Sequence, residues 1–441
     1  MSRQMTLVGF MQAGNVTVYS GSWRYPSADL SFLSMDYYTR IARTLERGLF
    51  DLVFFDDRLA MPGVYGNSVA DAVRYGARPV KLDLTAVLGG IVAATERIGV
   101  GATYSTTYYD PFHVARTFAT LDHLSGGRAA WNVVTSVNDS EAQNFGRDTH
   151  LGHDERYDRA DEFLEAVTAL WDSWEDGALV MDRPSGEFAD PDKVHEVGHR
   201  GEYFSVRGPL TVPRTPQGRP TILQAGSSGR GRSFAGRWAD LVFTAAPGLA
   251  VAQRQYAEQR DAVADAGRDP DQVRLLPMAY TVVGETEAIA REKERLFLDE
   301  YVHPLASLAL LSEVNNYDFS VHDLDDPVTE EMMAAGRGIR GLAEGVARHL
   351  DRPVTVRDLA AHRATLLQGP RFVGTPSQVA DGMEEWFRSG ACDGFVLAAT
   401  HLPGAFEEFV AMVVPELQRR GLYRTSYEGT TLRDRLGLPR P

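Results

Sequence analysis

Carboxylate, hydroxyl and amide side chains recur where apolar segments of this chain end. Asp57 follows the run DLVFFD, Thr103 ends the run IGVGAT, and Ser136 follows AAWNVVT, which itself contains Asn132. Hydroxyls at such positions can bind a ring edge or a phosphate. A buried asparagine must be hydrogen-bonded, either to a ligand or to a neighbouring strand. These residues suit a polar ligand site, although threonine also packs well in strands and Asp57 could cap a loop.

A second group of residues could hold an anion. His153 and Tyr157 are four residues apart at the start of a predicted helix, so they share one face. The turn GSSG contains Ser227 and Ser228 and precedes another predicted helix. Backbone N–H groups in a small-residue turn and at a helix start can bind a phosphate. A charged surface helix and an ordinary tight turn explain the same residues, so both interpretations stay open.

The elements that must position these residues alternate between strand and helix, which is typical of βαβ units. Apolar runs predict eight strands, over residues 6–11, 51–56, 98–104, 129–135, 220–226, 240–245, 273–283 and 393–398. Nearly all are followed by helices, of which 406–421 is predicted to be the last. Eight units favour a closed (β/α)8 TIM barrel, whose sites lie at the carboxyl ends of the strands. The turn after the first strand lacks the GxGxxG of an open dinucleotide-binding sheet.

Length and composition limit the remaining possibilities. We expect residues 1–441 to form one barrel domain with insertions at about 175–219 and 284–370. The net charge of −15 disfavours nucleic acids and anionic membranes as partners. Cys392 is the single cysteine, which excludes an intramolecular disulfide and favours a cytoplasmic location. HExxH and CxxC patterns are missing from the sequence, so we expect no dedicated metal site.

Longer stretches carry a family resemblance. They are SGGRAAWNVVTSVNDSEAQNFG (125–146), HDERYDRADEF (153–163), QAGSSGRGRSFAGRWADLVF (224–243), VGTPSQVADGMEEWF (373–387) and a C-terminal stretch over 413–438. Together they resemble the flavin-dependent monooxygenases of the nitrilotriacetate monooxygenase, pristinamycin synthase and dibenzothiophene-sulfone monooxygenase type. This family is a branch of the bacterial-luciferase-like barrels. The resemblance spans nearly the whole chain.

The resemblance implies a luciferase-like TIM barrel that binds reduced FMN at its carboxyl rim. It implies reaction with O2 through a flavin peroxide and transfer of one oxygen atom to a small organic substrate. The reduced flavin would come from a separate NAD(P)H:flavin reductase, and relatives usually form homodimers or homotetramers. The alternatives are a deazaflavin-dependent oxidoreductase on the same barrel and a non-catalytic flavin-binding protein.

The resemblance also implies roles for individual residues, although it identifies no catalytic residue. The expected cofactor contacts are Asp57 and Thr103 at the flavin ring, Asn132 and Ser136 in the same pocket, and His153, Tyr157, Ser227 and Ser228 toward the phosphate. The chain departs from the family pattern in two places. Asp56 stands where relatives often have a small residue, and the pair Trp23-Arg24 lacks a preceding histidine. The substrate therefore stays open.

Overall fold

The predicted barrel is confirmed. The computed structural model describes residues 3–226, 228–336, 339–347, 350–365 and 369–441. Within these ranges, eight parallel strands pair in chain order and the eighth pairs with the first. The strands are β1 Thr6–Gln12, β2 Leu52–Asp56, β3 Gly99–Ser105, β4 Ala129–Val134, β5 Thr221–Gln224, β6 Leu241–Thr244, β7 Arg274–Val283 and β8 Gly394–Ala398.

The barrel interior has an apolar layer and a polar layer. Phe10, Phe54 and Phe243 meet inside, with ring centroids 5.7 Å apart for the first pair and 4.9 Å for the second. Because side chains alternate along a strand, the residues two positions after Phe10 and Phe54 also face inward. These are Gln12 and Asp56, which lie side by side in the β1–β2 register. The polar layer therefore lies at the carboxyl end of the barrel, where the sequence predicts the site.

Most helices connect the strands and pack on the outer face of the barrel through a large apolar core, whereas those within 304–365 share a separate apolar cluster. Those before β5 are α1 Met35–Arg47, α2 Ala70–Tyr75, α3 Leu84–Ala94, α4 Pro111–Ser125, α5 Asp139–Asn144 and α6 His153–Trp171. Those from β5 to β8 are α7 Gly229–Trp238, α8 Leu249–Asp265, α9 Glu287–Leu296, α10 Pro304–Asn315, α11 Glu330–Ala335, α12 Ile339–Ala347, α13 Val356–Thr365 and α14 Pro376–Arg388. The C-terminal ones are α15 Gly404–Glu408, α16 Val414–Arg419 and α17 Leu432–Leu436.

Two segments depart from the simple strand–helix alternation. Residues 175–219 form two small antiparallel hairpins, Leu179–Asp182 with Glu187–Ala189 and His199–Arg200 with Ser205–Val206. The described part of 284–370 is mostly helical, and it is followed by a short strand, Arg371–Gly374, that pairs with the end of β7. That both segments are insertions into a single domain stays a prediction.

The prediction that 406–421 holds the last helix is wrong. That segment consists of α15, a π-helical turn at Phe409–Val413 and α16, and α17 follows it. Helix α17 is too short for its apolar period to be visible. Its start is stabilised by a capping box, in which Thr431 and Asp434 exchange side-chain and backbone hydrogen bonds.

Helix α17 closes the amino-terminal end of the barrel. Leu432 and Leu436 join the interior apolar cluster. Between them, Arg433 donates from Nη2 to Asp240 Oδ2 at 2.7 Å, and both side chains are more than nine-tenths buried. The opposite, carboxyl end of the barrel stays open for a ligand. Among the described helices, none has the length and apolar character needed to cross a membrane.

Candidate functional site

A cavity of about 280 Å³ opens at the carboxyl ends of β2 to β5. Four of the residues predicted from the sequence line it together: Asp57, Thr103, Ser136 and Tyr157. The rest of the wall includes Val133 and Val134, residues 224–226 and Phe234. Because the carboxyl ends of the parallel strands meet at one rim, residues from distant parts of the chain come together there. The roles of these residues as ligand contacts stay predictions.

Asn132 lies next to Thr103 rather than on the cavity wall. The β3–β4 register pairs the two residues, and Asn132 Nδ2 donates to Thr103 Oγ1 at 2.9 Å. The other end of the amide, Oδ1, is buried and has no hydrogen-bond partner among the described residues. A buried acceptor without a partner is costly. The pair is therefore suited to share a hydrogen bond with a ligand or an ordered water.

Ser136 holds a strained backbone position at the end of β4. Its φ of 54° lies in the left-handed region, which a non-glycine residue seldom adopts. Its Oγ donates to Ser105 Oγ at 3.0 Å, and its carbonyl oxygen accepts a hydrogen bond from the Arg156 guanidinium. Such strain persists where surrounding contacts over-determine it, and it clusters at functional sites.

The start of α7, beside the Tyr157 side of the cavity, has the features of an anion site, although Ser228 itself does not line the cavity. Ser228 is the N-cap of α7, and its Oγ accepts from the Gly231 N–H at 3.0 Å. His153 Nε2 is 3.4 Å from Ser228 Oγ, although His153 is exposed and does not line the cavity. The first N–H groups of a helix attract anions. Ser227 lies outside the described residues.

Two glycines make room for the Tyr157 phenol at this end. A Cβ on Gly226 would lie 2.7 Å from the Tyr157 hydroxyl, and one on Gly231 would lie 2.8 Å from it. Tyr157 packs against Phe234 with ring centroids 5.5 Å apart. Burial raises the pKa of the Tyr157 hydroxyl, which keeps it a neutral hydrogen-bond donor. The small residues predicted for this turn are thus required by close packing around the phenol.

Two adjacent carboxyl groups at the end of β2, those of Asp56 and Asp57, differ in pKa. Burial tends to raise the pKa of Asp56, but Lys81 and two arginines outweigh it and the pKa is lowered. Burial, together with Asp56 and Glu141, raises the pKa of Asp57 to about 7, against the opposing Lys81 charge. Asp56, which the sequence identified only as a departure, is thus the ionised partner of Lys81. Asp57 can hold or release a proton near neutral pH.

Replacing Asp57 with asparagine tests this assignment through pH. A carboxyl whose pKa rises from about 4 in the unfolded chain to about 7 in the fold stabilises the fold at low pH, and this contribution is lost as pH rises through 7. We therefore expect Asp57→Asn to raise Tm more at pH 8 than at pH 5, measured by differential scanning calorimetry. Asp192→Asn removes an exposed carboxylate and should change Tm equally at both pH values. Equal changes for Asp57→Asn would contradict the assignment.

Some residues of the site were missed by the sequence analysis. Gln224 ends β5 on the cavity wall, and its Oε1 accepts from the Gly226 N–H at 2.7 Å. Its place at a strand end was a signal that could have identified it. Glu141 lines the cavity and accepts from the Leu59 N–H at 3.0 Å. Its place in the site depends on the loop after β4, which the pattern does not reveal.

Comparison with known proteins bears on the nature of the ligand. A family model described as luciferase-like monooxygenase matches residues 11–393. The chain is 48% identical to dibenzothiophene-sulfone monooxygenase of Rhodococcus erythropolis, across 100% of this chain and 98% of that protein. It is 42% identical to nitrilotriacetate monooxygenase component A of Aminobacter aminovorans, again across 100% and 98%.

A solved structure shares the fold over nearly the full length. The crystal structure of a riboflavin lyase with modified FMN and riboflavin superimposes with a TM-score of 0.87 at 32% identity, covering 98% of this chain and 96% of that one. The chain therefore shares its fold with a flavin-containing structure and its sequence with proteins named as monooxygenases.

Proposed function

Because the chain belongs to the luciferase-like monooxygenase family, we propose that it is the oxygenating component of a two-component enzyme. In this proposal it uses reduced FMN and O2 and transfers one oxygen atom to a small organic molecule. Its relatives are named monooxygenases, so the chain is an oxidoreductase. The observation that supports the FMN proposal is a cavity with a polar rim that reaches Tyr157 and Gly226, beside the N-terminus of α7.

The residues present fit FMN. A phosphate needs several donors, and the Tyr157 hydroxyl, the start of α7 and Ser228 supply them at one edge. The glycines there allow close approach to the backbone. A flavin ring edge offers both donors and acceptors, which the unpartnered Asn132 Oδ1, the Thr103 hydroxyl and Asp57 can match.

When bound, reduced FMN supplies the electrons for O2 activation. The protein's own residues bind, orient and protect. Tyr157 and Ser228 hold the phosphate, and Thr103 with Asn132 orients the ring. Asp57, with a pKa near 7, keeps a proton available beside the cavity. Val133 and Val134 make part of the wall apolar, which limits water near the reacting atoms.

A partner that reduces the flavin is part of the proposal. The relative from Aminobacter aminovorans is named as component A of its enzyme. Apart from the residues proposed to hold FMN, the sequence has no second nucleotide-binding motif that could hold NAD(P)H. This supports reduction of the flavin on a separate NAD(P)H:flavin reductase. A cytoplasmic location and a homo-oligomeric state stay predictions.

Turnover tests the proposed function directly. The purified chain is mixed with FMN, NADH, a flavin reductase and a panel of small organic sulfones, amines and acids under ¹⁸O₂. We expect one labelled oxygen atom in a product, with mass spectrometry as the measurement and reductase alone as the control. Failure to label any compound, together with hydride transfer from reduced deazaflavin, would favour the deazaflavin-dependent alternative.

Two substitutions test the phosphate end. Tyr157→Phe and Ser228→Ala each remove one hydroxyl that we assign to the phosphate. A hydrogen bond to a charged group contributes about 1.5–3 kcal/mol, so we expect reduced FMN to bind about 10- to 100-fold more weakly in anaerobic titrations. Ser233→Ala, which removes an exposed hydroxyl from the same helix as Ser228, should leave the affinity unchanged. Titration curves equal to wild type for both site variants would remove these residues from the cofactor site.

A further inference from the structure

Four basic side chains lie together beside the cavity. Arg58, Arg78, Lys81 and Arg363 all line one small pocket, and Arg58 also lines the main cavity. Three of them come from the segment after β2, whereas Arg363 comes from α13. The two segments are distant in the chain and converge only in the fold. This basic pocket, defined by these four residues, has no role in holding FMN in the function proposed above.

The basic pocket is buried, and its guanidinium groups are only partly bonded. Arg78 is 8% exposed and donates from Nη2 to the Val18 carbonyl at 2.9 Å. Its Nε is buried without a hydrogen-bond partner among the described residues, and the same is true of Arg363 Nε. Arg58 Nη1 donates to a neutral amide, Asn138 Oδ1, at 2.7 Å. Buried donors without partners are rare in native proteins and call for an explanation.

Carboxylates near the basic pocket do not balance its charge. Lys81 Nζ is 3.4 Å from Asp56 Oδ2 and forms the one ion pair found for these four cations in the described part of the chain. Glu313 also lines the pocket, but its carboxylate accepts from Asn138 Nδ2 at 2.9 Å and from the Gly63 N–H at 3.0 Å. None of the three arginines forms an ion pair with a described carboxylate, and Asp56 acts on Arg78 and Arg363 only at longer range.

The surroundings make these charges costly to hold. Burial, together with the neighbouring charges of Arg78 and Arg58, lowers the pKa of Arg363 to about 9, against the opposing effect of Asp56. Burial likewise lowers the pKa of Arg78 to about 10, although Asp56 acts in the opposite direction. Buried charges are normally paired. A bound anion would supply the missing partner, and the local positive charge contrasts with the net charge of −15 for the whole chain.

We propose that the basic pocket binds an oxyanion group, a carboxylate or a sulfonate, on the organic substrate. The proposal rests on the proposed function and deepens it, because it names the chemical class of the molecule that is oxygenated. Arginine forks match the paired oxygens of carboxylates and sulfonates. The pocket itself has a volume of about 20 Å³, room for about one water. The oxyanion therefore lies at its mouth beside Arg58, which both walls share, and the rest of the substrate lies toward the cavity. The substrate is thus an organic acid rather than a neutral compound.

Calorimetric titration of the full chain with matched probes tests this inference. Benzenesulfonate is compared with methyl phenyl sulfone, and benzoate with benzamide, each with and without FMN. We expect at least one anion to bind tenfold or more tightly than its neutral counterpart, and the larger preference identifies the group as sulfonate or carboxylate. Raising NaCl from 50 to 500 mM should weaken the binding of the anion and leave the binding of its neutral counterpart unchanged. Equal affinities, or no detectable binding of either anion, would overturn the inference.

Charge-removing variants locate the effect. Lys81→Gln and Arg363→Gln should each lower the affinity for the preferred anion about fivefold or more. The affinity for its neutral counterpart should stay unchanged. Arg363→Lys keeps the charge and should retain most of the affinity. Arg291→Gln removes one positive charge from the exposed face of α9 and serves as the matched control. An equal loss in the control and the pocket variants would also overturn the inference.

FMN titrations on the same samples separate the two proposals. FMN binding without any preference for anions would overturn the basic pocket as a substrate site and leave the proposed function standing. A preference for anions without binding of either redox form of FMN would support the basic pocket as an organic-anion site and overturn the flavin chemistry.

Discussion

Replacing Gly226 with alanine is expected to weaken the binding of reduced FMN by about 10- to 100-fold. The added Cβ would lie 2.4 Å from Gln224 Nε2 and 2.7 Å from the Tyr157 hydroxyl. Both atoms are the ends of side chains and can move away, whereas the backbone Cα of Gly231, 3.2 Å from the added Cβ, needs to shift by only a few tenths of an ångström. The phenol then leaves the phosphate site, and a hydrogen bond to a charged group is worth about 1.5–3 kcal/mol. Anaerobic titration with reduced FMN measures the loss.

Gly229 provides the matched control three residues later. A Cβ there meets nothing within 4 Å, and alanine suits the first turn of α7. Gly229→Ala should therefore bind reduced FMN as wild type does. If the two variants lose affinity equally, the effect comes from the turn in general and the role assigned to Tyr157 is wrong.

The largest expected loss of stability comes from the closed end of the barrel. Arg433→Met leaves Asp240 buried without its closest cation, and breaking a buried pair costs about 3–5 kcal/mol. Arg268 Nη2, 3.7 Å from Asp240 Oδ1, remains and partly compensates. We therefore expect the free energy of unfolding to fall by about 3 kcal/mol, measured by urea denaturation.

Two further variants bracket this prediction. Arg440→Met breaks an exposed ion pair with Asp176 and should cost less than about 1 kcal/mol. In the Arg433→Met background, Asp240→Leu removes the unpaired charge and should restore part of the lost stability. If Arg433→Met costs no more than Arg440→Met, the buried pair does not stabilise the closed end.

The barrel could be predicted because each strand is a short apolar run between helices. Strands buried on both faces, such as β1 and β3, show as continuous apolar sequence. The short strand Arg371–Gly374 could not be predicted, because it depends on pairing with the far end of β7. Helix α17 was missed because it is only about one turn long and is stabilised by its capping box, so its sequence shows no helical periodicity of apolar residues.

The sequence predicted at which end of the barrel the site lies, but not which side chains line it. The carboxyl ends of parallel strands meet at one rim, which places Asp57, Thr103 and Ser136 together. The rule does not say which side chains turn into the cavity, so Asn132 lies beside it and His153 outside it. The convergence of Lys81 and Arg363 depends on tertiary contacts between distant segments, which no local pattern encodes.

The cofactor end and the basic pocket are carried by different parts of the chain. The glycine turn after β5 and the start of α6 form the first, whereas the loop after β2 and helices α10 and α13 form the second. If both proposals hold, mutations in the loop after β2 and in these helices should alter substrate choice without changing flavin binding. A chimera that exchanges both the loop after β2 and α10 to α13 between relatives should inherit the donor's substrate preference and keep the recipient's flavin affinity. Such independence gives natural selection a way to diversify one chemistry across many compounds.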